Sequence, residues 1–302
     1  MSHIYIYSPS GAVNDRPAFR RGVRRLQQMG HEVEIDPDAL ARVQRFAGDD
    51  ATRLAAITRA AASGADVALI TRGGYGLTRL LPRLPYRALA RAAERGMKLV
   101  GLSDFTVLQL ALLAQTGAAS WAGPALLEAF GAAEPDPVTL ACFDDLTSGA
   151  GQGAGWRLPA AGRGAVPEEL RIGPAPLWGG NLSMLVSLLG TPWFPQVKGG
   201  ILFLEDVGEH PYRIERMLIQ LLHAGVLARQ KAILLGHFTG YQLTPHDRGF
   251  GLPAVVARLG EQVKAPILRG LPFGHVPTKV LLPVGRKVTL LAQEREALLF
   301  WG

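Results

Sequence analysis

The sequence has 302 residues, of which 48% are hydrophobic and 19% are charged, as in a globular protein with one large domain or two of ordinary size. It contains no apolar run of about eighteen residues, and no basic segment leads into a long apolar stretch near its start, so we expect neither a spanning helix nor a secretory signal. The formal charge is +7, with 26 Arg against 6 Lys, and the arginines are spread along the chain rather than clustered. We therefore expect a generally basic surface and no nucleic-acid partner.

Charge and cysteine content suggest two further expectations. A basic chain could attract a small anionic substrate, but scattered charges do not focus a field, so this is the weaker interpretation. Cys142 is the only cysteine and cannot form an intrachain disulfide, which agrees with a reducing compartment. We expect a cytoplasmic protein that makes no membrane contact.

Strand and helix patterns alternate through the first 130 residues. Short apolar or alternating runs predict strands, and apolar residues at helical spacing predict helices, one of which begins after Asp49 or Asp50 as its cap. The predicted strands are "HIYIY", "HEVEID", "ADVALIT" and "KLVG", and the predicted helices are "DRPAFRRGVRRLQQMG", "DDATRLAAITRAAAS", "YRALARAAERG" and "FTVLQLALLAQTG". Such alternation is typical of an α/β domain, a parallel sheet with helices on both faces.

The pattern changes between Gly131 and Pro176. The stretches "GAAEPDP", "TSGAGQGAG" and "PAAGRGAVP" are rich in turn-forming residues, and we expect no long element in this region. We therefore predict an α/β domain over residues 1–135, a linker over 136–176 and a second domain over 177–302.

The second half contains one clear amphipathic helix and several short strands. Apolar residues recur at helical spacing in "YRIERMLIQLLHAG". Buried strands are predicted for "GILFLED" and "KAILLGHF", and strands around the turn "VGRK" for "KVLLPVGRKVTLLAQEREALLFW". The second domain should therefore be smaller, mixed and rich in β-structure.

Ser103 lies directly after the strand "KLVG" and its turn, and directly before the helix "FTVLQ". Sites of open parallel sheets lie beyond the carboxyl ends of the strands, and a helix N-terminus favours an anion that forms beside it. The position resembles a nucleophile elbow, although Phe105 replaces the second glycine of G-x-S-x-G. Alternatively, Ser103 is only the N-cap of the helix, with Asp104 in its first turn, and from position alone capping is the commoner role.

A nucleophilic serine needs a base and a carboxylate that orients the base. Among the seven His, His237 and His275 follow apolar runs, where a rigid scaffold presents side chains. Glu205 and Asp206 end the predicted strand "GILFLED", where a carboxylate needs a partner because burying it alone is costly. The residues alone leave open which His is the base, and they allow Asp206 a mere turn or capping role.

The segment "RGGYG", residues 72–76, places three glycines directly after a buried strand. It lacks the spacing of nucleotide-binding loops, and the chain has no H-E-x-x-H or C-x-x-C, so we expect no nucleotide, no other cofactor and no metal. The remaining use for such bare backbone is to bring amide N–H groups close to a substrate oxygen, as an oxyanion hole does.

Over essentially its whole length the chain resembles the LD-carboxypeptidases, serine peptidases that include the cytoplasmic murein tetrapeptide carboxypeptidases. The resemblance rests on "RGGYG", "GLSDFTVLQ", "GPAL", "LWGGNLSML", "ILFLEDVGEHPYRIERMLIQL", "KAILLGHF" and "FGH". It implies a flavodoxin-like or glutamine-amidotransferase-like first domain that carries the nucleophile.

The resemblance also implies roles for individual residues. Ser103, in the G-x-S-D motif, is the implied nucleophile, and Glu205 in L-E-D and His275 in F-G-H complete the triad. Since Ser103 belongs to one half and the other two to the second half, the site is expected to need both.

The implied oxyanion donors are the backbone amides of Asp104 and Gly74, the latter preferred over Gly73. Tyr75 and Trp178 are expected substrate contacts, although Trp178 could equally be a core residue between apolar neighbours.

The implied activity is removal of the terminal D-alanine from murein tetrapeptides in peptidoglycan recycling, by a homodimer acting on a small peptide. Two alternatives remain: a related hydrolase that cleaves a peptidyl-nucleotide antibiotic, and a non-catalytic peptide-binding protein on the same scaffold. The third residue of the substrate, diaminopimelate or lysine, stays open.

Overall fold

The computed structural model describes residues 1–159 and 169–301. Most of the predicted turn segment "PAAGRGAVP" lies outside these residues. The strands are β1 (His3–Tyr7), β2 (Glu32–Ile35), β3 (Val67–Ile70), β4 (Lys98–Gly101), β5 (Ser120–Ala122), β6 (Gly153–Arg157), β7 (Glu169–Asn181), β8 (Ile201–Val207), β9 (Ala232–Thr239), β10 (Ile267–Arg269), β11 (Leu282–Val284), β12 (Lys287–Gln293) and β13 (Glu296–Phe300). The α-helices are α1 (Arg16–Gln28), α2 (Asp50–Ala62), α3 (Tyr86–Glu94), α4 (Phe105–Thr116), α5 (Pro137–Ser148), α6 (Leu182–Ser187), α7 (Pro211–His223) and α8 (Leu252–Gln262).

The first structural unit comprises residues 1–151, 190–195 and 277–285. Its six-stranded sheet has the order β11-β5-β4-β3-β1-β2, in which all neighbours are parallel except β11 and β5. Strand β3 is wholly buried, as its unbroken apolar run predicts for the middle of a parallel sheet. The predicted parallel-sheet domain is confirmed.

Capping residues explain where the helices of this unit begin. The carboxylate of Asp15 accepts the amide of Ala18 at the start of α1, and that of Asp49 accepts the amide of Thr52 at the start of α2. Helix α4 follows β4 after three residues, and eight consecutive side chains from Phe105 to Leu112 are buried. The apolar sequence of α4 therefore fixes the position of the residues before it, including Ser103.

The second unit comprises residues 152–189, 196–276 and 286–302. Its seven-stranded sheet has the order β10-β9-β8-β7-β12-β13-β6, with parallel pairing from β7 to β10 and antiparallel pairing through β12, β13 and β6. Helices α6, α7 and α8 belong to this unit. The predicted mixed, β-rich second domain is confirmed.

The expectation of no long element between Gly131 and Pro176 is wrong. Helix α5 begins after Asp136, whose carboxylate accepts the amide of Thr139 at 2.8 Å, and Pro137 occupies its first turn. A capping Asp followed by Pro is a helix-start pattern that the abundance of turn residues obscured. Strand β7 likewise begins within this region and runs for 13 residues.

Within the two described ranges, the structure has no helix that combines the length and the apolar character needed to cross a bilayer.

Candidate active site

Ser103 has a left-handed backbone conformation, with φ of 64°, which is uncommon for a residue with a β-carbon. It is not the N-cap of α4, because the helix starts after Asp104. The capping interpretation of this serine is therefore wrong. A half-buried serine in this conformation between a strand and a helix has the geometry of a nucleophile elbow.

The glycine loop packs directly on this serine. A β-carbon added to Gly73 would lie 2.5 Å from the Ser103 β-carbon and 2.7 Å from its Oγ. Gly74 has φ of 109°, and a β-carbon added to it would lie 3.1 Å from the Gly11 α-carbon. The Gly73 carbonyl accepts the Gly11 amide at 3.1 Å, which holds the loop in place. Bare backbone is thus needed at both positions.

Two backbone amides near Ser103 are available to a ligand. Within residues 1–159 and 169–301, the N–H groups of Asp104 and Gly74 donate to no acceptor. Gly74 is exposed, and the Asp104 amide follows the serine directly. Amides so placed suit the negatively charged oxygen of a tetrahedral intermediate.

The side chain of Asp104 ties the elbow to two neighbouring segments. Its Oδ2 accepts hydrogen bonds from the Ser10 hydroxyl and, at 3.0 Å, from the Leu77 amide. Burial raises the pKa of this carboxyl above its usual value, although these hydrogen bonds act in the opposite direction. The sequence predicted a backbone amide and a place in the first helical turn for Asp104, but not this anchoring role of its side chain.

In the second unit, Glu205 and His275 form a carboxylate–imidazole pair. Glu205 lies on β8 and is fully buried, and its Oε2 is 2.8 Å from Nδ1 of His275. The residue before the histidine, Gly274, has φ of 135°, and a β-carbon there would lie 3.2 Å from Oε2. The two side chains predicted from different motifs are therefore in direct contact, and Glu205 pairs with His275 rather than with His237.

Asn181, at the end of β7, supports this pair. Its Nδ2 donates to Glu205 Oε1 at 3.2 Å and to Asp206 Oδ1 at 2.9 Å, and its Oδ1 accepts the Met184 amide as the N-cap of α6. Asp206 also accepts the amide and hydroxyl of Ser183, at 2.9 and 2.6 Å, and so binds the first turn of α6 from the end of β8. Asn181 was not among the predicted site residues, although an Asn directly before the run "LSML" is a helix-start signal.

The two expected substrate contacts differ in exposure. Trp178 has no exposed surface, and its indole N–H donates to Gln230 Oε1 at 2.9 Å. This corrects the substrate contact expected there, because a buried, hydrogen-bonded indole on an inner strand belongs to the core. Tyr75 lies on the glycine loop with 41% of its surface exposed, where a ligand could reach it.

Known proteins match the chain across most of its length. Residues 4–123 match the family described as LD-carboxypeptidase N-terminal domain, and residues 174–290 match the one described as LD-carboxypeptidase C-terminal domain. The crystal structure of a muramoyltetrapeptide carboxypeptidase from Oxalobacter formigenes is 38% identical, covers 98% of this chain and 97% of its own, and superposes with a TM-score of 0.87.

Two curated proteins are similar in sequence. The murein tetrapeptide carboxypeptidase of Pseudomonas aeruginosa is 30% identical over 281 residues, which cover 89% of this chain and 86% of the relative. The Microcin C7 self-immunity protein MccF of Escherichia coli is 25% identical over 313 residues, with 94% and 88% covered.

Proposed function

The chain belongs to the LD-carboxypeptidase family and is therefore a peptidase, and from this we propose that it removes the terminal D-alanine from murein tetrapeptides. The reaction would take place in the cytoplasm and recycle peptides of the cell wall, with a homodimer as the active form. The observation that carries the proposal is the contact between the buried Glu205 and His275, at 2.8 Å, the arrangement that orients an imidazole as a base.

The proposed chemistry starts at Ser103. With its Nδ1–H donated to the Glu205 carboxylate, His275 carries its basic lone pair on Nε2 and accepts the proton of the serine hydroxyl. The serine Oγ attacks the carbonyl carbon that joins the L-centre of diaminopimelate or lysine to D-alanine. The imidazolium then gives its proton to the leaving amine as the C–N bond breaks, and a water molecule hydrolyses the acyl ester to release the tripeptide.

The proposed oxyanion hole is formed by the amides of Asp104 and Gly74. Both amides lack an acceptor in the described parts of the chain. Asp104 directly follows Ser103, and Gly74 belongs to the glycine loop that packs on Ser103. Losing one such donor typically costs about 3–4 kcal/mol of transition-state stabilisation.

The proposal divides the catalytic groups between the two halves of the chain. Residues 1–135 supply the nucleophile and the oxyanion donors, and residues 177–302 supply the carboxylate and the base.

Mass spectrometry of a murein tetrapeptide incubated with the protein tests the proposal. The wild type should remove one alanine, whereas Ser103→Ala and His275→Ala should lose activity by several orders of magnitude. A serine-reactive phosphonate should label the wild type and not Ser103→Ala. Labelling without alanine loss would contradict the substrate, and absence of both from a folded protein would favour a binding protein.

A second candidate is hydrolysis of a peptidyl-nucleotide antibiotic. It is favoured by the similarity to the self-immunity protein, which spans 94% of this chain. Cleavage of a peptidyl-nucleotide by a preparation that leaves the tetrapeptide intact would select this candidate, and Ser103→Ala should abolish that cleavage as well.

A further inference from the structure

A basic recess lies beside the glycine loop, wholly within the first unit. It has a volume of about 150 Å³, and the residues that line it include Arg42, Arg45 and Arg72 together with Gly74 and Tyr75. The three arginines come from two segments of the chain, the loop after β2 and the end of β3. Three arginines therefore line one recess, which has room for a small organic group.

None of these three arginines forms an ion pair within the described residues. Arg42 Nε donates to a neighbouring backbone carbonyl at 3.2 Å, and Arg72 Nη1 donates to the Ala12 carbonyl at 3.3 Å. The Arg45 guanidinium lies 5.7 Å from the ring centroid of Tyr75. Most of their donors thus remain for a ligand.

Three other arginines of the same unit are paired. Arg53 and Arg79 contact the Asp50 carboxylate at 2.5 and 3.2 Å, and Arg59 binds Asp36 at 2.8 Å. The three arginines that line the recess have no such carboxylate partner among the described residues. Like charges held close repel one another, and a bound anion relieves that repulsion.

We propose that this recess is a carboxylate-binding subsite for the substrate, an inference that rests on the function proposed above. Gly74, one of the two oxyanion donors, is part of its wall, so the recess begins beside the scissile carbonyl. A guanidinium binds a carboxylate through two parallel hydrogen bonds, and several of them discriminate strongly against a neutral group.

A murein tetrapeptide presents two carboxylates within one residue of the scissile bond. One is the terminal carboxylate of D-alanine, which every carboxypeptidase substrate has. The other is on the side chain of diaminopimelate, and lysine lacks it. Binding of the second carboxylate would make the enzyme selective for diaminopimelate peptides.

Kinetics with three tetrapeptides test the subsite: one with diaminopimelate and a free C-terminus, one with lysine instead, and one with diaminopimelate and a C-terminal amide. The variant is Arg42→Gln/Arg45→Gln, which leaves the glycine loop intact. Arg87→Gln, an exposed arginine of α3 outside the recess, is the control for loss of positive charge.

The double variant should lower kcat/KM for the first peptide at least tenfold, and the control should leave it within twofold. If the side-chain carboxylate is bound, the loss shrinks to about twofold on the lysine peptide; if the terminal one is bound, it shrinks on the amide. An equal loss of kcat/KM on all three peptides, or no loss, would overturn the proposed subsite. Activity of the wild type in the same assays would still support the proposed reaction. A wild type inactive on all three would overturn the proposed function and the subsite with it.

Discussion

The backbone at Ser103 is held in a conformation that a β-carbon disfavours. Its φ of 64° turns the chain sharply between β4 and α4, and the buried helix that follows leaves it little room to relax. Such a residue costs of order 1 kcal/mol or more and persists where the surroundings fix it. Here the surroundings are the Asp104 carboxylate, anchored at Ser10 and Leu77, and the backbone of Gly73.

The Asp104 carboxyl predicts a pH-dependent term in stability. Its pKa is raised in the folded state, mainly by burial, so its stabilising contribution is complete below the unfolded pKa and is lost as the pH rises through the folded pKa. As the pH rises above the unfolded pKa of about 4 and towards the raised folded pKa, the free energy of unfolding of the wild type should therefore fall relative to that of Asp104→Asn. Urea denaturation of both proteins measures this, and a change in the opposite direction would mean that the hydrogen bonds outweigh burial.

Asn181 combines two roles that substitution can separate. Asn181→Ala removes the N-cap of α6 and the hydrogen bond to Glu205, whereas Asn181→Ser retains a capping oxygen but cannot reach the carboxylate. We expect kcat to fall about tenfold in both variants with KM little changed, since a hydrogen bond to a charged group contributes about 1.5 kcal/mol. The Ala variant should be less stable than the Ser variant by about 1 kcal/mol. An unchanged kcat in both would show that Asn181 acts on the fold alone.

At the scale of elements, the glycine loop needs glycine at residue 73 because a side chain there would collide with a neighbouring residue. Gly73 has no left-handed φ, so its requirement for glycine comes from contact with the nucleophile alone. Gly73→Ala should therefore displace Ser103 and lower kcat about 100-fold or more, as a misplacement of about 1 Å can do.

A second glycine provides the control for this substitution. Gly260, inside α8, has open space where a β-carbon would be added, so Gly260→Ala should leave activity intact and stabilise the protein by about 0.5–1 kcal/mol. Activity assays and thermal unfolding of both variants test this pair. Full activity of Gly73→Ala would mean that the loop yields to the added methyl group.

Features that depend on residues close together in the sequence could be predicted, and features that depend on residues far apart in the sequence could not. Periodicity and caps located α1, α2 and α7 because both are local, and the same rules would have found α5 from Asp136 and Pro137. The pairing of Glu205 with His275 joins residues 70 positions apart, so it could be expected only from a family resemblance. No local pattern showed that Asp104 would anchor its own elbow, because its partners lie on other segments.

The arginine recess illustrates the same limit at the scale of the whole molecule. The chain spreads its 26 arginines evenly enough that the sequence favoured a uniformly basic surface. Folding brings Arg42, Arg45 and Arg72 to one recess, whereas Arg53 and Arg59 bind acidic partners. Composition reports total charge, whereas focusing of charge is a property of the fold.

The late segment 277–285 belongs to the first unit, which predicts where C-terminal substitutions act. Leu282, on β11, and Leu299, on β13, are both fully buried, and replacing either with Ala should cost about 2–5 kcal/mol. Hydrogen exchange should accelerate in β5 for Leu282→Ala and in β6 and β12 for Leu299→Ala, following their strand neighbours. Identical exchange patterns in the two variants would contradict the division of the C-terminal region between the sheets.

The same connectivity has a consequence for synthesis on the ribosome. Strand β11 covers the side of β5 that faces away from β4, and it is made only after more than nine-tenths of the chain. Until then the nascent first sheet ends in an unpaired strand edge, the feature that makes incomplete β-structure prone to aggregation. Strand β5 thus stays open to non-native pairing until residues 282–284 have been made, although the five strands of the first sheet other than β11 lie within the first 122 residues.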